Sequence, residues 1–267
     1  MFPLTTMYPL DTYPAMQTND NTLLITGGGS GIGRALAEAF HALGNRVVIA
    51  GRRQQTLREV TAANPGMDFL ALDIADPGAV RACAAEVIAR HPGLNVVINN
   101  AGISVREDLR SAPASLEASE AIVATNILGP IRLTAALLPH LLKQARATVI
   151  NVSSGLGFVP LPAGPTYSAS KAALHSYTQS LRWQLRETPV EVLEIIPPYV
   201  QTEFGGPSQA VDPRAMPLRD FIAETMQILQ SQPEAREICV ERVKALRFAE
   251  ANGSFAAAFQ ALGEMKF

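Results

Sequence analysis

The sequence is poor in cysteine, in charged side chains and in clusters of basic residues. Two of its 267 residues are cysteines, 17% are charged, and the formal net charge is −2. Cys83 and Cys239 do not form a CxxC pair, so we expect reduced structural thiols in a cytoplasmic protein rather than a disulfide framework. The largest basic cluster is the pair Arg52 and Arg53. This pattern argues against nucleic acid and anionic membranes as partners.

The N-terminal region has no basic residue before Arg34, and prolines interrupt its first 19 residues. A signal peptide would begin with basic residues and continue as an apolar core, so we do not predict one. No run of consecutive apolar residues approaches the roughly 18 to 20 that a membrane-spanning helix needs. We therefore predict one globular domain over residues 20–267, preceded by an extension over residues 1–19 that lies outside the core.

Short apolar segments alternate with longer helical ones from residue 21 onward, which is the pattern of repeated βαβ units. The sequence predicts a Rossmann-type, doubly wound α/β fold with a seven-stranded, mainly parallel sheet and helices on both faces. We expect Pro139 to end or kink the fourth helix near Leu138. The predicted strands are residues 22–26, 46–50, 68–71, 96–99, 147–152, 190–196 and 237–240. The predicted helices are residues 34–43, 54–64, 77–90, 116–143, 167–187, 218–229, 243–251 and 254–262.

A glycine-rich segment, TGGGSGIG over residues 26–33, joins the first predicted strand to the first predicted helix. Gly27, Gly31 and Gly33 allow a tight turn, a close approach of a pyrophosphate, and close packing of the helix, whose N-terminus faces the phosphates. The spacing is GxxxGxG rather than the usual GxGxxG, and no Lys-Ser/Thr pair follows as in a P-loop. We predict a dinucleotide site, with a glycine turn that binds no ligand as the alternative.

Two arginines stand where dinucleotide-binding proteins carry the residue that selects between NAD and NADP. The second strand leads into Arg52 and Arg53, with no carboxylate for the ribose hydroxyls. Because a guanidinium pairs bidentately with a phosphate, we predict NADP(H) as the preferred cofactor, with NAD(H) possible. The alternative is two solvated arginines at a helix start. Asp73, after the third strand, is placed to meet an adenine amino group or, equally, to cap a turn.

Tyr167 and Lys171 are four residues apart in a predicted helix, so the phenol and the ammonium lie one turn apart on the same face. Both groups have ordinary pKa values near 10, and a neighbouring cation lowers the pKa of a phenol. Ser154 lies at the end of the fifth strand, 13 residues before the tyrosine. The arrangement predicts proton transfer to or from an oxygen. A half-buried tyrosine beside a solvated lysine would give the same spacing.

Taken together, these motifs stand in the order and at the spacings of one family. Over residues 21–202 the chain resembles the classical short-chain dehydrogenase/reductases. The matching motifs are the glycine segment at 26–33, Asp73, NNAG at 99–102, NILG at 126–129, Ser154, and Tyr167 with Lys171.

The resemblance implies a role for each matching residue. Tyr167 is the catalytic acid/base, Ser154 polarises the substrate oxygen, and Lys171 binds the nicotinamide ribose and lowers the pKa of the tyrosine. Asn126 completes the catalytic set by positioning a water between Lys171 and solvent. No metal ligand is implied. The cofactor-binding residues implied are Gly27, Ser30, Gly31, Ile32, Gly33, Arg52, Arg53, Asp73, Ile74, Asn100, Ala101, Gly102, Tyr167, Lys171, Pro197, Val200 and Thr202.

Two positions depart from the family pattern. Pro198 stands where the family usually has glycine, in the segment that contacts the nicotinamide carboxamide, and proline restricts φ and lacks an N–H. Ser30 stands where NADP-preferring relatives often have a basic residue, so Arg52 would carry the phosphate preference largely alone. Beyond this segment, we predict a loop and helix over residues 203–232 that cover the substrate, and a helical tail over residues 241–267.

The resemblance predicts an oxidoreductase that transfers a hydride between NADP(H) and a small-molecule carbonyl or alcohol. Apolar residues on more than one face of the helix at 167–187 predict a homo-oligomer, a dimer or a tetramer, with a helix covered by the chain's own C-terminal tail as the alternative. A non-catalytic NADP(H)-binding sensor or regulatory protein on the same fold is the alternative, which the complete set of Asn, Ser, Tyr and Lys disfavours. An epimerase or dehydratase of the extended relatives is disfavoured by the glycine spacing and the short C-terminal region.

Overall fold

A computed structural model describes residues 16–110 and 116–265 of the chain. Most of the predicted N-terminal extension lies outside the described residues, and its position relative to the core stays a prediction there. Its described end contacts the fold, because Met16 packs against the hydrophobic core. The backbone oxygens of Gln17 and Asn19 also accept hydrogen bonds from the Asn21 side chain. Residues 16–19 are therefore attached to the start of the first strand.

Within the described residues, seven parallel strands form one sheet, which confirms the predicted fold class. The strands are β1 (Thr22–Thr26), β2 (Arg46–Gly51), β3 (Asp68–Ala71), β4 (Val96–Asn99), β5 (Ala147–Val152), β6 (Val190–Ile195) and β7 (Glu237–Ile238). Their order across the sheet is β3-β2-β1-β4-β5-β6-β7. The direction of winding therefore reverses between β1 and β4, and open α/β sheets bind ligands beyond the carboxyl ends of the strands at such a point.

Helices cover both faces of the sheet. They are α1 (Gly31–Ala42), α2 (Gln54–Ala63), α3 (Pro77–Arg90), α4 (Leu116–Val123), α5 (Gly129–Leu141), α6 (Pro165–Leu185), α7 (Pro207–Ala210), α8 (Leu218–Ser231), α9 (Lys244–Arg247) and α10 (Phe255–Glu264). Alternate residues of β1 enter the two cores, since Leu23 and Ile25 pack with α1 and α8 while Leu24 packs with α3 and α5. Two buried faces explain why the strands are apolar along almost their whole length.

The fourth predicted helix is three helical segments rather than one. A π-helical segment, Ala124–Leu128, separates α4 from α5. The helix also does not end near Leu138, because Pro139 lies inside α5, which continues to Leu141. Pro139 lies in the last turn of α5, where the missing N–H removes a hydrogen bond close to the helix end rather than in the middle.

The helical run Leu116–Leu141 is long and apolar enough to cross a membrane, judged by its length and composition. The expectation concerned runs of consecutive apolar residues, and this helix reaches the length of a membrane-spanning segment only with polar residues included. Polar residues such as Thr125, Asn126 and Thr134 interrupt the apolar run in the sequence, and these side chains are buried in the structure. Because α5 packs against α3, we attribute the apolar character of the run to burial within the α/β fold.

The C-terminal third differs from its predicted elements in detail. The predicted loop before α8 contains the short helix α7. The predicted helix over residues 243–251 is a 3-10 turn, Glu241–Val243, followed by the single-turn helix α9. The chain turns after α9, where Gly253 has a φ of +68°. Glycine tolerates this left-handed conformation, and the turn leads into α10 at the predicted place.

Candidate active site

The loop between β1 and α1 is shaped by glycines that leave no room for side chains. A Cβ atom on Gly33 would lie 2.5 Å from the backbone oxygen of Gly27 and 2.3 Å from Nδ2 of Asn100. Gly27 itself has a φ of +68°, which disfavours other residues. Ser30, the N-cap of α1, caps no N–H of the helix with its side chain among the described residues. The first turn of α1 therefore offers its N–H groups to an anion, so the loop fits a pyrophosphate.

Asn100 holds this loop against the end of β4. Its Nδ2 donates to the backbone oxygen of Thr26 over 2.9 Å. The Thr26 hydroxyl accepts hydrogen bonds from the backbone N–H groups of Asn100 and Ala101, each over 3.0 Å. Asn100 was predicted to bind the cofactor, and this stays a prediction: the residue lines the cleft, and its side chain also supports the glycine loop. Thr26 was not among the predicted site residues, although its position at the end of β1 would have indicated that it lies at the cleft.

Arg52 and Arg53 line the same cleft, beyond the end of β2. The cleft has a volume of about 1580 Å³ and runs along the carboxyl edge of the sheet. Arg53 Nη2 donates to the Ser30 hydroxyl over 2.8 Å, which attaches this arginine to the glycine loop. Arg52 is exposed and makes no hydrogen bond or ion pair with any residue that the structure describes. The cleft therefore has two cationic groups at this end, one attached to the loop and one available.

Asp73 lies at the cleft, and one of its carboxylate oxygens accepts from the backbone N–H of Ala75 over 3.0 Å. The residue that caps α3 is Asp76, whose side chain accepts from the N–H groups of Gly78 and Ala79. Asp73 therefore closes a turn, as one of its two predicted roles requires. It also faces the cleft, as the predicted contact with an adenine requires. Ile74 is buried beside it.

Tyr167, Ser154 and Lys171 meet at the carboxyl end of β5. The Ser154 hydroxyl accepts from the backbone N–H of Leu156 over 3.1 Å and shares a hydrogen bond with the Tyr167 phenol. Lys171 Nζ lies 5.7 Å from the centre of the Tyr167 ring and donates to the backbone oxygen of Val152 over 2.8 Å. The alternative interpretation, in which the lysine is solvated, is wrong, since Lys171 is only 4% exposed.

Burial shifts the pKa values of both titratable groups in this trio. It raises the pKa of Tyr167 to about 12, although the hydrogen bond from Ser154 works in the other direction by favouring the phenolate. The lowering of this pKa expected from Lys171 is therefore not found, because burial of the phenol outweighs it. Burial lowers the pKa of Lys171 to about 8, and the carboxylate of Glu194 partly offsets that effect. At neutral pH the phenol is therefore a protonated donor, and the ammonium is charged but close to its titration range.

Asn126 lies in the π-helical segment, where its buried side chain spans three polar groups. Its Oδ1 accepts from the backbone N–H of Ile103, and its Nδ2 donates to the Ile103 oxygen and to the Ser170 hydroxyl. A Cβ atom on Gly102 would lie 3.4 Å from Asn126 Oδ1 and 3.7 Å from Lys171 Nζ. Asn126 therefore joins the strand end after β4 to the helix that carries Tyr167 and Lys171. Single π-type turns of this kind are frequent at functional sites.

The segment after β6 forms the opposite wall of the cleft. The isolated bridge between Val200 and Met216 fixes the backbone after Pro198. Gly155 donates its N–H to the oxygen of Pro197 over 3.0 Å, so the segment is also attached to the turn that carries Ser154. The Thr202 side chain approaches Gly31, where a Cβ atom would lie 3.5 Å away. The structure thus brings the residues predicted on either side of the cleft together.

Two further residues at the site gave no signal in the sequence. The Phe204 ring, 43% exposed, lies 5.7 Å from the Tyr167 ring between centres and covers one side of it. Glu107 fixes the start of α6, because its carboxylate accepts from the Thr166 N–H and hydroxyl and from the Ser119 hydroxyl. Both residues lie in loops whose course depends on tertiary contacts, so no motif or spacing identifies them.

A partly buried cluster of ionisable side chains lies behind Lys171. His175 Nδ1 is 2.8 Å from Glu194 Oε2, and Glu237 is close enough that the three side chains have the spacing of metal ligands. Arg247 donates to both oxygens of Glu237, so that its charge balances this carboxylate. Histidine spacing along the chain did not reveal this group, because β6, β7 and α6 bring its members together.

The fold and the site together define a dinucleotide-binding α/β protein, and comparison with known proteins gives the family. The family model described as short chain dehydrogenase matches residues 21–211. The chain therefore belongs to the short-chain dehydrogenase/reductase family of oxidoreductases.

Two curated relatives show how far the sequence likeness extends. The chain is 39% identical over 235 residues to "Uncharacterized oxidoreductase DltE" of Bacillus subtilis, covering 87% of this chain and 92% of that protein. It is 36% identical over 193 residues to "Dehydrogenase/reductase SDR family member 7B" of Bos taurus, covering 68% of this chain. The chain covers 59% of the length of that second relative.

Solved structures with the same fold include nucleotide complexes. A short chain dehydrogenase from Burkholderia cenocepacia J2315 in complex with NADP has a TM-score of 0.77 at 26% identity, covering 91% of this chain and 99% of that one. A short chain dehydrogenase/reductase from Burkholderia phymatum in complex with NAD also has a TM-score of 0.77, at 21% identity, covering 90% and 96% of the two chains. The second likeness shows the fold alone.

Proposed function

We propose that this protein transfers a hydride between NADP(H) and the carbonyl or hydroxyl carbon of a small molecule, with Tyr167 as the acid/base. The observation that carries the proposal is the meeting of Tyr167, Ser154 and Lys171 at the carboxyl edge of the sheet, in the same cleft as the glycine loop. A serine, a tyrosine and a lysine in contact can hold an oxygen and exchange a proton with it. A binding site alone requires no such group.

The residues that would hold the cofactor fit a dinucleotide along the whole cleft. The open N-terminus of α1 would bind the pyrophosphate, and Arg52 and Arg53 would bind a 2′-phosphate. The related Burkholderia cenocepacia structure contains NADP, which agrees with this preference. Asp73 would bind the adenine, and Val200 and Thr202 the nicotinamide end. When bound, the nicotinamide supplies or accepts the hydride.

The protein's own contribution is to hold the substrate oxygen and to move one proton. In the reductive direction, the Ser154 hydroxyl donates a hydrogen bond to the carbonyl oxygen, which polarises the carbon. Tyr167 then transfers its phenolic proton to the same oxygen as negative charge develops there. The high pKa of Tyr167 keeps that proton in place at neutral pH. The Lys171 ammonium stabilises the phenolate left behind, and a proton from solvent then restores the Tyr167 phenol by way of a water that Asn126 would position.

The rival function is a non-catalytic NADP(H)-binding sensor, and a turnover assay separates the two. A panel of carbonyl and alcohol compounds is incubated with the full chain and either NADPH and NADH or their oxidised forms, while the absorbance of the reduced nicotinamide is followed. We expect turnover with at least one class of compound, at a higher rate with the NADP(H) pair. Tight NADPH binding without turnover of any compound would favour the sensor. Equal rates with both cofactors would contradict the assignment of the NADP(H) preference to Arg52 and Arg53.

We further propose that the protein is a cytoplasmic homo-oligomer.

A further inference from the structure

Gln209, on the short helix α7, places a primary carboxamide inside the cleft. Its Nε2 donates to the backbone oxygen of Val200 over 2.8 Å and to the Thr202 hydroxyl over 3.3 Å. Its Oε1 accepts from the backbone N–H of Gly205 over 2.8 Å. A primary carboxamide offers two N–H donors and one acceptor oxygen, and all these functions are used here. The groups around the Gln209 side chain therefore form a subsite built for a primary carboxamide.

The segment that carries Gln209 is attached to the fold mainly by polar contacts. No side chain of α7 is buried among the described residues, and Val211, just after it, is 78% exposed. Gly206 has a φ of +110° at the start of α7, a conformation open to glycine. A Cβ atom on Gly205 would lie 2.5 Å from Gln209 Oε1, so the Gln209 side chain packs closely against this glycine. With little apolar burial, the position of this segment depends on hydrogen bonds such as those of Gln209.

We infer that Gln209 is an internal competitor of the cofactor, occupying in the free protein the subsite that the nicotinamide carboxamide takes when the cofactor binds. The inference rests on the proposed function, which assigns Val200 and Thr202 to the nicotinamide end. The nicotinamide ring bears the same primary carboxamide as a glutamine side chain, and the Val200 oxygen and Thr202 hydroxyl cannot hold both in the same geometry. Cofactor binding therefore displaces Gln209. The apparent affinity for the cofactor is lowered in proportion to the fraction of molecules in which Gln209 occupies the subsite.

Displacement of Gln209 also connects the cofactor to the substrate side of the cleft. Phe204 lies in the same segment, five residues before Gln209, and its ring covers Tyr167. Releasing the Gln209 side chain removes its hydrogen bonds to Val200 and Thr202, which hold this part of the segment against the chain that follows β6. Displacement of Gln209 therefore loosens the segment that places the Phe204 ring beside Tyr167.

Isothermal titration calorimetry on the full chain tests the inference with two probes. NADP⁺ carries the nicotinamide, whereas 2′-phospho-ADP-ribose keeps the remainder of the cofactor without it. Gln209→Leu preserves the size of the side chain and removes its hydrogen bonds. We expect this variant to bind NADP⁺ about tenfold more tightly than the wild type, and 2′-phospho-ADP-ribose with unchanged affinity. NAD⁺ and ADP-ribose provide the same comparison if they are the tighter-binding pair.

Gln201→Leu is the matched control, because Gln201 attaches the far end of the same segment by donating to the Asp212 oxygen over 3.1 Å. We expect this control to leave the ratio of the two affinities at the wild-type value. An unchanged NADP⁺ affinity in Gln209→Leu, an equal gain for both probes, or the same gain in Gln201→Leu would each overturn the inference. Failure of the wild type to bind any of the four compounds would instead overturn the proposed cofactor site, and the inference with it.

Discussion

At the scale of single residues, the charge of Lys171 depends strongly on its surroundings. Burial brings its pKa down to about 8, and Glu194 is the carboxylate that limits the shift. Below that pH the lysine carries its charge in the folded state, and the cost of burying the charge is fully present. Between about 8 and the ordinary lysine pKa of 10.5 the unfolded chain binds more protons than the folded one, so this cost is relieved as the pH rises.

The pH dependence of reduction should therefore show the loss of the Lys171 charge. We expect kcat to stay level from about pH 6 to about pH 7.5 and to fall above about pH 8, because the neutral amine no longer stabilises the phenolate. Glu194→Gln removes the carboxylate that raises the pKa of Lys171, so the fall should move to lower pH. Lys143→Met, a change to a lysine outside the cleft, should leave the profile unchanged. A profile that is level beyond about pH 9.5, or that Glu194→Gln does not move, would contradict this assignment.

At the scale of elements, the glycine loop and the end of β4 form one packed unit. Gly33→Ala puts a methyl group against the Gly27 oxygen and the Asn100 side chain, and we expect a loss of about 1–3 kcal/mol in the free energy of unfolding. Gly29→Ala is the matched control, since its methyl group would meet Leu57 and Thr56 at an ordinary 3.4 Å. Urea unfolding followed by circular dichroism measures both variants. Equal stability of the two would contradict the close packing described here.

The strands could be predicted from the sequence because both of their faces are buried. The first five strands begin and end within one residue of their predicted limits, since apolar runs such as residues 22–26 are bounded by glycine, asparagine or charged residues. The π-helical segment at Ala124–Leu128 could not be predicted from the sequence. Its extra residue per turn changes the hydrogen-bond partners of the backbone without changing composition, and the apolar pattern continues across it.

The site residues could be predicted from the sequence where their spacing along one helix or strand determines their positions. Tyr167 and Lys171 lie one turn apart on α6, and Ser154 follows β5, so the predicted helix and strand already bring these three residues near each other. Gln209 and Phe204 reach the cleft only through the course of the segment after Thr202. Tertiary contacts with β6 and α6 decide that course, and a single sequence carries no pattern for them.

At the scale of the whole molecule, large apolar side chains remain exposed on neighbouring helices. Leu116 on α4 is 71% exposed and Trp183 on α6 is 51% exposed, and the two helices pack against each other. Single chains rarely leave such side chains in water over an extended surface, so this pattern supports the proposal of a homo-oligomer.

Light scattering after size exclusion measures the oligomeric state directly. We expect a mass that is an even multiple of the 28.5 kDa of one chain. The double variant Leu116→Glu and Trp183→Glu should shift the mass toward one chain, because two carboxylates would have to be buried at the interface. Circular dichroism verifies that this variant remains folded. A wild-type protein that elutes at the mass of a single chain would contradict the proposed assembly.

Tyr167→Phe tests most directly whether this protein reduces a carbonyl by proton transfer from Tyr167. The variant keeps the ring beside Phe204 and removes the hydroxyl, while Tyr199→Phe removes a hydroxyl that lines the same cleft and bonds to Asp212. With a carbonyl that the wild type reduces, we expect kcat of Tyr167→Phe to fall by about 10²–10⁴-fold. NADPH binding should remain nearly intact, and Tyr199→Phe should keep its turnover. A Tyr167→Phe enzyme that retains substantial turnover would contradict the assignment.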